Sequence, residues 1–281
     1  MKPTLLLVCL GALAVADSVP VRYAEGRIHG FVVLRDQQDR ILASGDLQQV
    51  TTAGRVNNEL VLRFKDGSTH TETTVFSQQR TFRLLSYHLV QKGPAFPRPM
   101  DMVVNASGQV TLRYTDDDGK PKTVNDTLDA KPDLANGLVP TLIADIDPKA
   151  PKTVLSMVAP TTKPRLVKLE ITPLGEDSFT VGGSGPRKAT VYNVKVVIGG
   201  VAGVVAPIVG KQPPDTRVWV VGGKAPGFLK SEGPLFDGGP VWRIEMASPV
   251  WPKESTRQSG DRDRDNPQAS RTAGSPAAGA R

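Results

Sequence analysis

Apolar and polar residues alternate with a period of two along most of the chain, which is typical of β-strands with one face in a core. The alternation begins near Glu25 and continues to about Met246, interrupted by turns rich in Gly, Asp, Asn and Pro. Asp66-Gly67 and residues 105–108 predict tight turns between antiparallel strands. We predict strands at 27–34, 41–47, 58–65, 71–76, 80–90, 102–104, 109–114, 152–158, 165–171, 179–182, 189–198, 217–221 and 241–246.

One segment has helical periodicity instead. Between residues 133 and 145, Leu134, Leu138 and Leu142 recur every four positions, and Pro140 interrupts the pattern. Because proline is tolerated in the first turn of a helix but not in its interior, this segment predicts one or two short helices. The pattern as a whole predicts an all-β, mainly antiparallel fold of roughly twelve to fourteen strands. We expect a large curved sheet or half-open β-barrel with one or two short helices.

The two ends of the chain differ in composition from this body. Lys2, the apolar run 5–13 and the Ala-Val-Ala site at 14–16 are typical of a secretory signal peptide. The run is shorter than the roughly 20 residues that span a bilayer, so no transmembrane span is expected in the mature chain. The last thirty residues have no apolar periodicity, which predicts disorder. The predicted divisions are a signal peptide (1–16), a single antiparallel β domain (17–251) and a disordered C-terminal tail (252–281).

The cysteine content and the charge indicate which cellular compartment and which partners to expect. Cys9 is the only cysteine and lies in the predicted signal peptide, so the mature chain would have no disulfide and no thiolate site. A cysteine-free exported protein fits the bacterial envelope, because eukaryotic secreted domains use disulfides more often. We expect a periplasmic or secreted location, with cleavage after about Ala16. The formal net charge of +7 is spread along the chain and gives no reason to expect a nucleic-acid partner.

No local motif predicts catalysis, a metal or a cofactor. His29, His70 and His88 are isolated and lack the spacing of a zinc site. The segment 182–186 departs from a nucleophile elbow at its last position, and the glycines of the run that ends at Gly210 are too far apart for a phosphate loop. We therefore predict no enzyme activity, no cofactor and no metal, while a site assembled from distant strands stays open.

The most unusual stretch is the uncharged run from Gly199 to Gly210, next to the strand predicted at 217–221. It is too short to cross a membrane, and its glycines and Pro207 disfavour a helix. It is either a buried strand with a tight corner or an apolar flap over a hydrophobic cavity or a lipid surface. In the second case, we predict that the ligand is bound by Val201, Val204, Val205, Ile208, Trp219 and Trp242.

The latter half of the chain resembles an uncharacterised bacterial exported family of β-rich proteins. The motifs that carry the resemblance are TKPRLVKLE (162–170), GVAGVVAP (200–207), GKQPPD (210–215), VW (218–219) and GPVWRIE (239–245). This resemblance implies no activity. More distantly, strands with a brief helical interruption after an export signal are similar in architecture to Lol-type lipoprotein carriers. That similarity implies a sheet curled around a hydrophobic cavity and plugged by short helices, without residue-level function.

Two functions follow from these observations. The first is an exported envelope or periplasmic β protein that binds a lipid or another hydrophobic small molecule, as a carrier or a binding module. The alternative is a structural or interaction protein that has no ligand cavity and docks on an envelope protein partner through exposed strand edges. A hydrolase would need carboxylates or a histidine from distant strands to converge in one cleft.

Overall fold

Fourteen antiparallel strands form a single sheet in the part of the chain that the structure describes, together with one short helix. The strands pair with their neighbours in sequence, as expected for a chain of alternating strands and tight turns. In chain order the elements are β1 (Ile28–Arg35), β2 (Ile41–Thr52), β3 (Arg55–Phe64), β4 (Thr69–Gln78), β5 (Phe82–Lys92), β6 (Met100–Asn105), β7 (Gln109–Thr115), β8 (Pro121–Thr127), α1 (Val139–Asp145), β9 (Thr153–Ala159), β10 (Arg165–Phe179), β11 (Arg187–Val197), β12 (Thr216–Val221), β13 (Gly227–Gly233) and β14 (Trp242–Met246).

The structure is a computed structural model that describes residues 18–129, 133–180, 187–198, 212–224 and 226–247. The predicted signal peptide and the predicted C-terminal tail lie outside these residues. The apolar run from Gly199 to Gly210 lies outside them as well. No helix in the described ranges is long and apolar enough to cross a membrane.

The sheet consists of two meanders, β1 to β8 and β9 to β14, joined by antiparallel pairing of β1 with β14. In this pairing Val32 lies opposite Met246, and Leu34 lies opposite Ile244. The outermost strands are β8 and β9, which are not paired with each other, so the sheet is open between them. The predicted all-β, mainly antiparallel fold with a large open sheet is confirmed.

One face of the sheet, called the inner face below, carries two apolar clusters. The first is built mainly from β5–β7 and β9–β12 and includes Phe76, Leu112 and Leu169. The second is built from β1–β3 and the loop after β5 and includes Leu34, Leu62 and Phe96. Three side chains of β14 face inward, because they pack against the second cluster: Trp242, Ile244 and Met246.

α1 lies against the inner face and belongs to the first cluster. Its Leu142 and Ile143 share that cluster with Leu112 of β7 and Val218 of β12, two strands far apart in the sheet order. The sheet must therefore curve around the helix. Pro140 occupies the first turn, where its missing N–H removes no helical hydrogen bond.

The loop before α1 covers the edge of β9 that does not pair with β10. Ala135 N donates to Ser156 O at 2.8 Å. Asn136 Nδ2 donates to Val158 O, and Val158 N donates to Asn136 Oδ1, both at 2.9 Å. These bonds satisfy backbone groups that an edge strand would otherwise expose for pairing with another chain.

The N-terminal segment before β1 is fixed to the end of α1 by Asp145. The carboxylate Oδ1 accepts hydrogen bonds from Arg22 N at 2.6 Å and Tyr23 N at 2.8 Å. Asp145 is 1% exposed, and its burial raises its pKa above the usual value of 3.8, although the two backbone hydrogen bonds act in the opposite direction. Burial also raises the pKa of the neighbouring Glu25 carboxyl, and the charge of Asp145 adds to that shift.

Three details differ from the strands predicted above. β10 continues to Phe179 with a bulge between Pro173 and Gly175, so 165–171 and residue 179 lie on one strand and not on the two that were predicted. The far end of β10 pairs with β11 instead, where Phe179 lies opposite Arg187. β8 and β13 are strands that the alternation did not predict.

Gly137→Ala should destabilise the protein more than Gly119→Ala. Both glycines have positive φ, 65° and 76°, which costs an alanine about 1 kcal/mol. A Cβ at Gly137 would also lie 1.9 Å from Thr74 Oγ1, whereas a Cβ at Gly119 meets nothing within 4 Å. We expect Gly137→Ala to cost about 1–3 kcal/mol more, measured by urea denaturation. Equal losses would contradict the close contact between this loop and β4.

Asp145→Asn should make the free energy of unfolding less dependent on pH. Because the folded-state pKa is raised, the wild-type carboxyl contributes to the stability of the protein at low pH. That contribution is lost as the pH rises from 3.8 through the folded-state pKa. Asparagine can still accept both backbone hydrogen bonds but carries no charge. We expect the stability of the variant relative to wild type to be higher at pH 7 than at pH 3.5, by chemical denaturation. Asp126→Asn, on the exposed strand β8, controls for the lost charge.

Candidate functional site

The inner face of β4 is polar where its neighbours are apolar. His70, Glu72 and Thr74 alternate along β4, so they share one face of the sheet. That face is the inner one, because Leu62 of the second apolar cluster lies opposite His70. The register adds three polar residues from β3 and β5 to the same patch. We call the set the inner polar cluster: His70, Glu72, Thr74, Asn58, Tyr87 and Gln91.

The inner polar cluster separates the two apolar clusters. In one row of the sheet, His70 and Gln91 lie between Leu62 of the second cluster and Met100 of the first. In the next row, Glu72 lies between Leu60 and Leu89. Any molecule that covered both apolar clusters would therefore contact polar side chains in its middle.

His70 and Gln91 form a buried hydrogen-bonded pair. Gln91 Nε2 lies 3.1 Å from His70 Nδ1 and donates to Leu235 O at 2.8 Å. Since the amide nitrogen is a donor, His70 Nδ1 is the acceptor, which places the proton of the neutral ring on Nε2. His70 Nε2 and Gln91 Oε1 are both buried and have no hydrogen-bond partner among the described residues. The pair thus presents one donor and one acceptor to the interior.

The imidazole of His70 is kept neutral by its surroundings. Burial lowers its pKa below the usual value of 6.5, and the charge of Glu72 opposes this shift only in part. The ring lies beside Phe96, with 6.2 Å between centroids. Phe96 in turn contacts Phe236 at 5.7 Å, and Phe236 contacts Trp242 at 5.8 Å. A wall of aromatic rings therefore extends from the inner polar cluster to Trp242.

Glu72 is held by Tyr87. The buried phenol of Tyr87 donates from Oη to Glu72 Oε1 at 2.6 Å. Burial raises the pKa of Tyr87 well above its usual value of 10.0, and the charge and hydrogen bond of Glu72 raise it further. The phenol therefore keeps its proton and remains a donor across the physiological pH range. Its hydrogen bond fixes the direction in which the Glu72 carboxylate points.

Solvent reaches the inner face on the side of β1 to β4. In the row that contains Glu72, Leu47 and Leu60 are only half-buried. Further along the same row, Leu89 is 2% exposed and Leu112 is fully buried. The first apolar cluster is thus shielded from solvent, whereas the face beside Glu72 is partly exposed.

The structure does not bring the two predicted tryptophans together. Trp242 lies on the inner face, but Trp219 points to the opposite face from Val218 and Val220 of the first cluster. There its Nε1 donates to Asp177 Oδ2 at 2.9 Å, and Lys230 Nζ lies 4.1 Å from the centre of its ring. The remaining predicted ligand-binding residues lie outside the described residues: Val201, Val204, Val205 and Ile208.

The other two histidines lie on the outer face, next to aspartates. His88 Nε2 is 2.9 Å from Asp101 Oδ1, and His29 Nε2 is 3.6 Å from Asp46 Oδ1. Within the described residues, no group of three or more His, Cys, Asp or Glu side chains could hold a metal ion. The sequence analysis did not predict the inner polar cluster. The pattern that could have indicated it is the run of polar residues at alternate positions of β4.

His70→Gln should weaken the effect of acid on stability. Because the folded-state pKa of His70 is lowered, the folded protein binds fewer protons than the unfolded chain just below pH 6.5, and stability falls as the pH drops through that region. We expect wild type to lose more free energy of unfolding between pH 7 and pH 5 than His70→Gln. His88→Gln, on the outer face, is the matched control. An identical loss in His70→Gln and wild type would contradict a buried, neutral His70.

Comparisons with known proteins give a structural likeness among solved structures. No protein-family model matches the chain, and no curated protein matches it. Among solved structures, the chain is similar to a crystal structure described as a β-barrel-like protein of the domain of unknown function DUF1849 from Brucella abortus. The TM-score is 0.40 and the sequence identity 9%, over 85% of this chain and 100% of that one. That protein is, by its description, β-barrel-like and of unknown function, and the likeness to Lol-type carriers is not confirmed.

Proposed function

We propose that the chain is an exported protein of the bacterial envelope, periplasmic or secreted, that binds a lipid or another hydrophobic ligand on the inner face of its sheet. The observation that carries the proposal is the inner polar cluster. Among the described residues, it leaves a buried donor and a buried acceptor without a partner, between two apolar clusters and near the half-buried Leu47 and Leu60. A few polar groups in an apolar concave surface are typical of sites for small molecules.

The apolar part of the ligand would lie on the half-buried side chains next to Glu72. Leu47 and Leu60 form this wall on one side, and Met246 and Trp242 extend it across β14. Covering each 100 Å² of such surface contributes about 2.5 kcal/mol. A hydrocarbon chain laid along these rows would therefore bind mainly through the hydrophobic effect.

The polar part of the ligand would lie on the inner polar cluster. The Glu72 carboxylate accepts hydrogen bonds, and so does the unpaired Gln91 Oε1, whereas His70 Nε2 donates one. An unsatisfied buried polar group costs about 1–3 kcal/mol, and a ligand that pairs with it removes that cost. We therefore infer an amphiphile with a hydroxyl or amine group next to an oxygen acceptor, rather than a pure hydrocarbon.

Glu72→Gln should reduce retention of this ligand. We expect wild-type protein purified from its own envelope to carry a hydrophobic molecule, detected by native mass spectrometry and organic extraction. Removing the charge of Glu72 should lower the bound fraction about fivefold or more, because charge-assisted hydrogen bonds are roughly twice as strong as neutral ones. Glu59→Gln, an equal change on the exposed outer face of β3, should leave the bound fraction unchanged.

Wild-type protein with a clean ligand-free mass would contradict the binding function. Val205→Asp tests the prediction that the apolar run binds the ligand. Lower retention of the ligand in this variant supports a flap, and unchanged retention removes Val205 from the site. Thermal melting of each variant separates a lost ligand from a lost fold.

The alternative function, docking on an envelope partner, is favoured by one observation. β8 is an edge strand that is exposed at six of its seven positions, whereas the edge of β9 is covered by the loop before α1. An uncovered edge strand can pair with a strand of another protein. A ligand-free mass together with a defined crosslink from β8 to one partner would favour this function.

A further inference from the structure

We propose a second site, on the outer face, that binds a phosphate group. It is a pocket of about 490 Å³ at the turn between β4 and β5. Among the residues that the structure describes, its lining contains two arginines, two hydroxyls and one amide, and no carboxylate: Ser77, Gln79, Arg80, Thr81 and Arg83. This site is separate from the inner polar cluster and does not depend on the function proposed above.

The N-terminal segment holds the backbone of this turn in place. Pro20 forms an isolated antiparallel bridge with Thr81, and Val21 N donates to Arg80 O at 3.0 Å. Phe82 N donates to Val19 O at 3.2 Å on the other side of the bridge. The backbone from which Arg80 and Arg83 project is therefore fixed before any ligand arrives, which reduces the entropy lost on binding.

Positive charge is concentrated here. The register places Ser77 opposite Arg55 on β3 and opposite Arg83 on β5, so two arginines flank one hydroxyl on the outer face. Arg80, at the tip of the turn, brings a third guanidinium. In the part of the chain that the structure describes, none of the three forms an ion pair with a carboxylate, so their charge is available to an anion. Some arginines elsewhere are paired, as Arg35 is with Glu245.

The chemistry of the lining selects a phosphate group. Guanidinium groups present paired donors that match two oxygens of a phosphate, and serine and threonine hydroxyls add single donors. A cation would meet two positive charges, and an uncharged apolar molecule would have to cover polar groups. The phosphate can belong to a soluble phosphate ester or to the headgroup of an anionic lipid.

The test compares two double variants of the full mature protein. Arg80→Gln/Arg83→Gln removes both guanidinium groups from the pocket. Arg113→Gln/Arg217→Gln removes the same charge from exposed positions elsewhere on the sheet. Glycerol phosphate binding is measured by calorimetry. Vesicle binding is measured by flotation with phosphatidylcholine alone and with phosphatidylglycerol added.

We expect the pocket variant to bind about tenfold more weakly or worse, with little change in the control, because each arginine next to an anionic phosphate contributes separately. Binding of glycerol phosphate alone would identify a soluble ester, and binding of phosphatidylglycerol vesicles alone would identify a lipid headgroup. The proposal is overturned if wild type binds neither ligand, or if the control loses as much affinity as the pocket variant.

Ser77→Ala/Thr81→Val separates recognition from general attraction. This variant keeps every charge but removes both hydroxyl donors, so affinity should fall severalfold if the pocket holds the phosphate directly. Unchanged affinity would show that only diffuse charge acts, which also overturns the site. Thermal melting confirms that each variant is folded.

Discussion

The antiparallel pairing of β1 with β14 is the constraint on which the rest of the structure depends. It joins strands about 210 residues apart in sequence and turns two separate meanders into one sheet. Closing so long a loop costs conformational entropy, which must be offset by contacts that form only when the strands meet. These include Leu34 against Ile244 on the inner face and Arg35 Nε against Glu245 Oε1, at 2.5 Å, on the outer face.

Once the sheet is joined, its inner face must be filled. α1 fills the part that faces β5–β7 and β10–β12, and its Asp145 also fixes the N-terminal segment. The part near β1–β4 is filled less completely at Leu47 and Leu60, and the inner polar cluster lies next to it. Buried polar atoms without partners lower stability, and the proposed ligand would offset that cost.

The period of two in β4 and its neighbours also separates the two proposed sites. His70, Glu72 and Thr74 point inward, while Ser77, beyond the buried Phe76, points outward to Arg55 and Arg83. A single strand thereby supports a site for an amphiphile on one face and a site for a phosphate group on the other. Because the two sites share the backbone but no side chain, each can be altered without removing the other.

The sequence by itself determined the strand alternation, most of the turns and the short helix around Pro140. It missed β8, which is polar at nearly every position because an exposed edge strand buries little. It also missed the inner polar cluster and placed Trp219 with Trp242, because alternation shows which residues share a face but not which face is buried. Only the tertiary structure decided that, since burial in β4 and β12 depends on strands and a helix far away in the sequence.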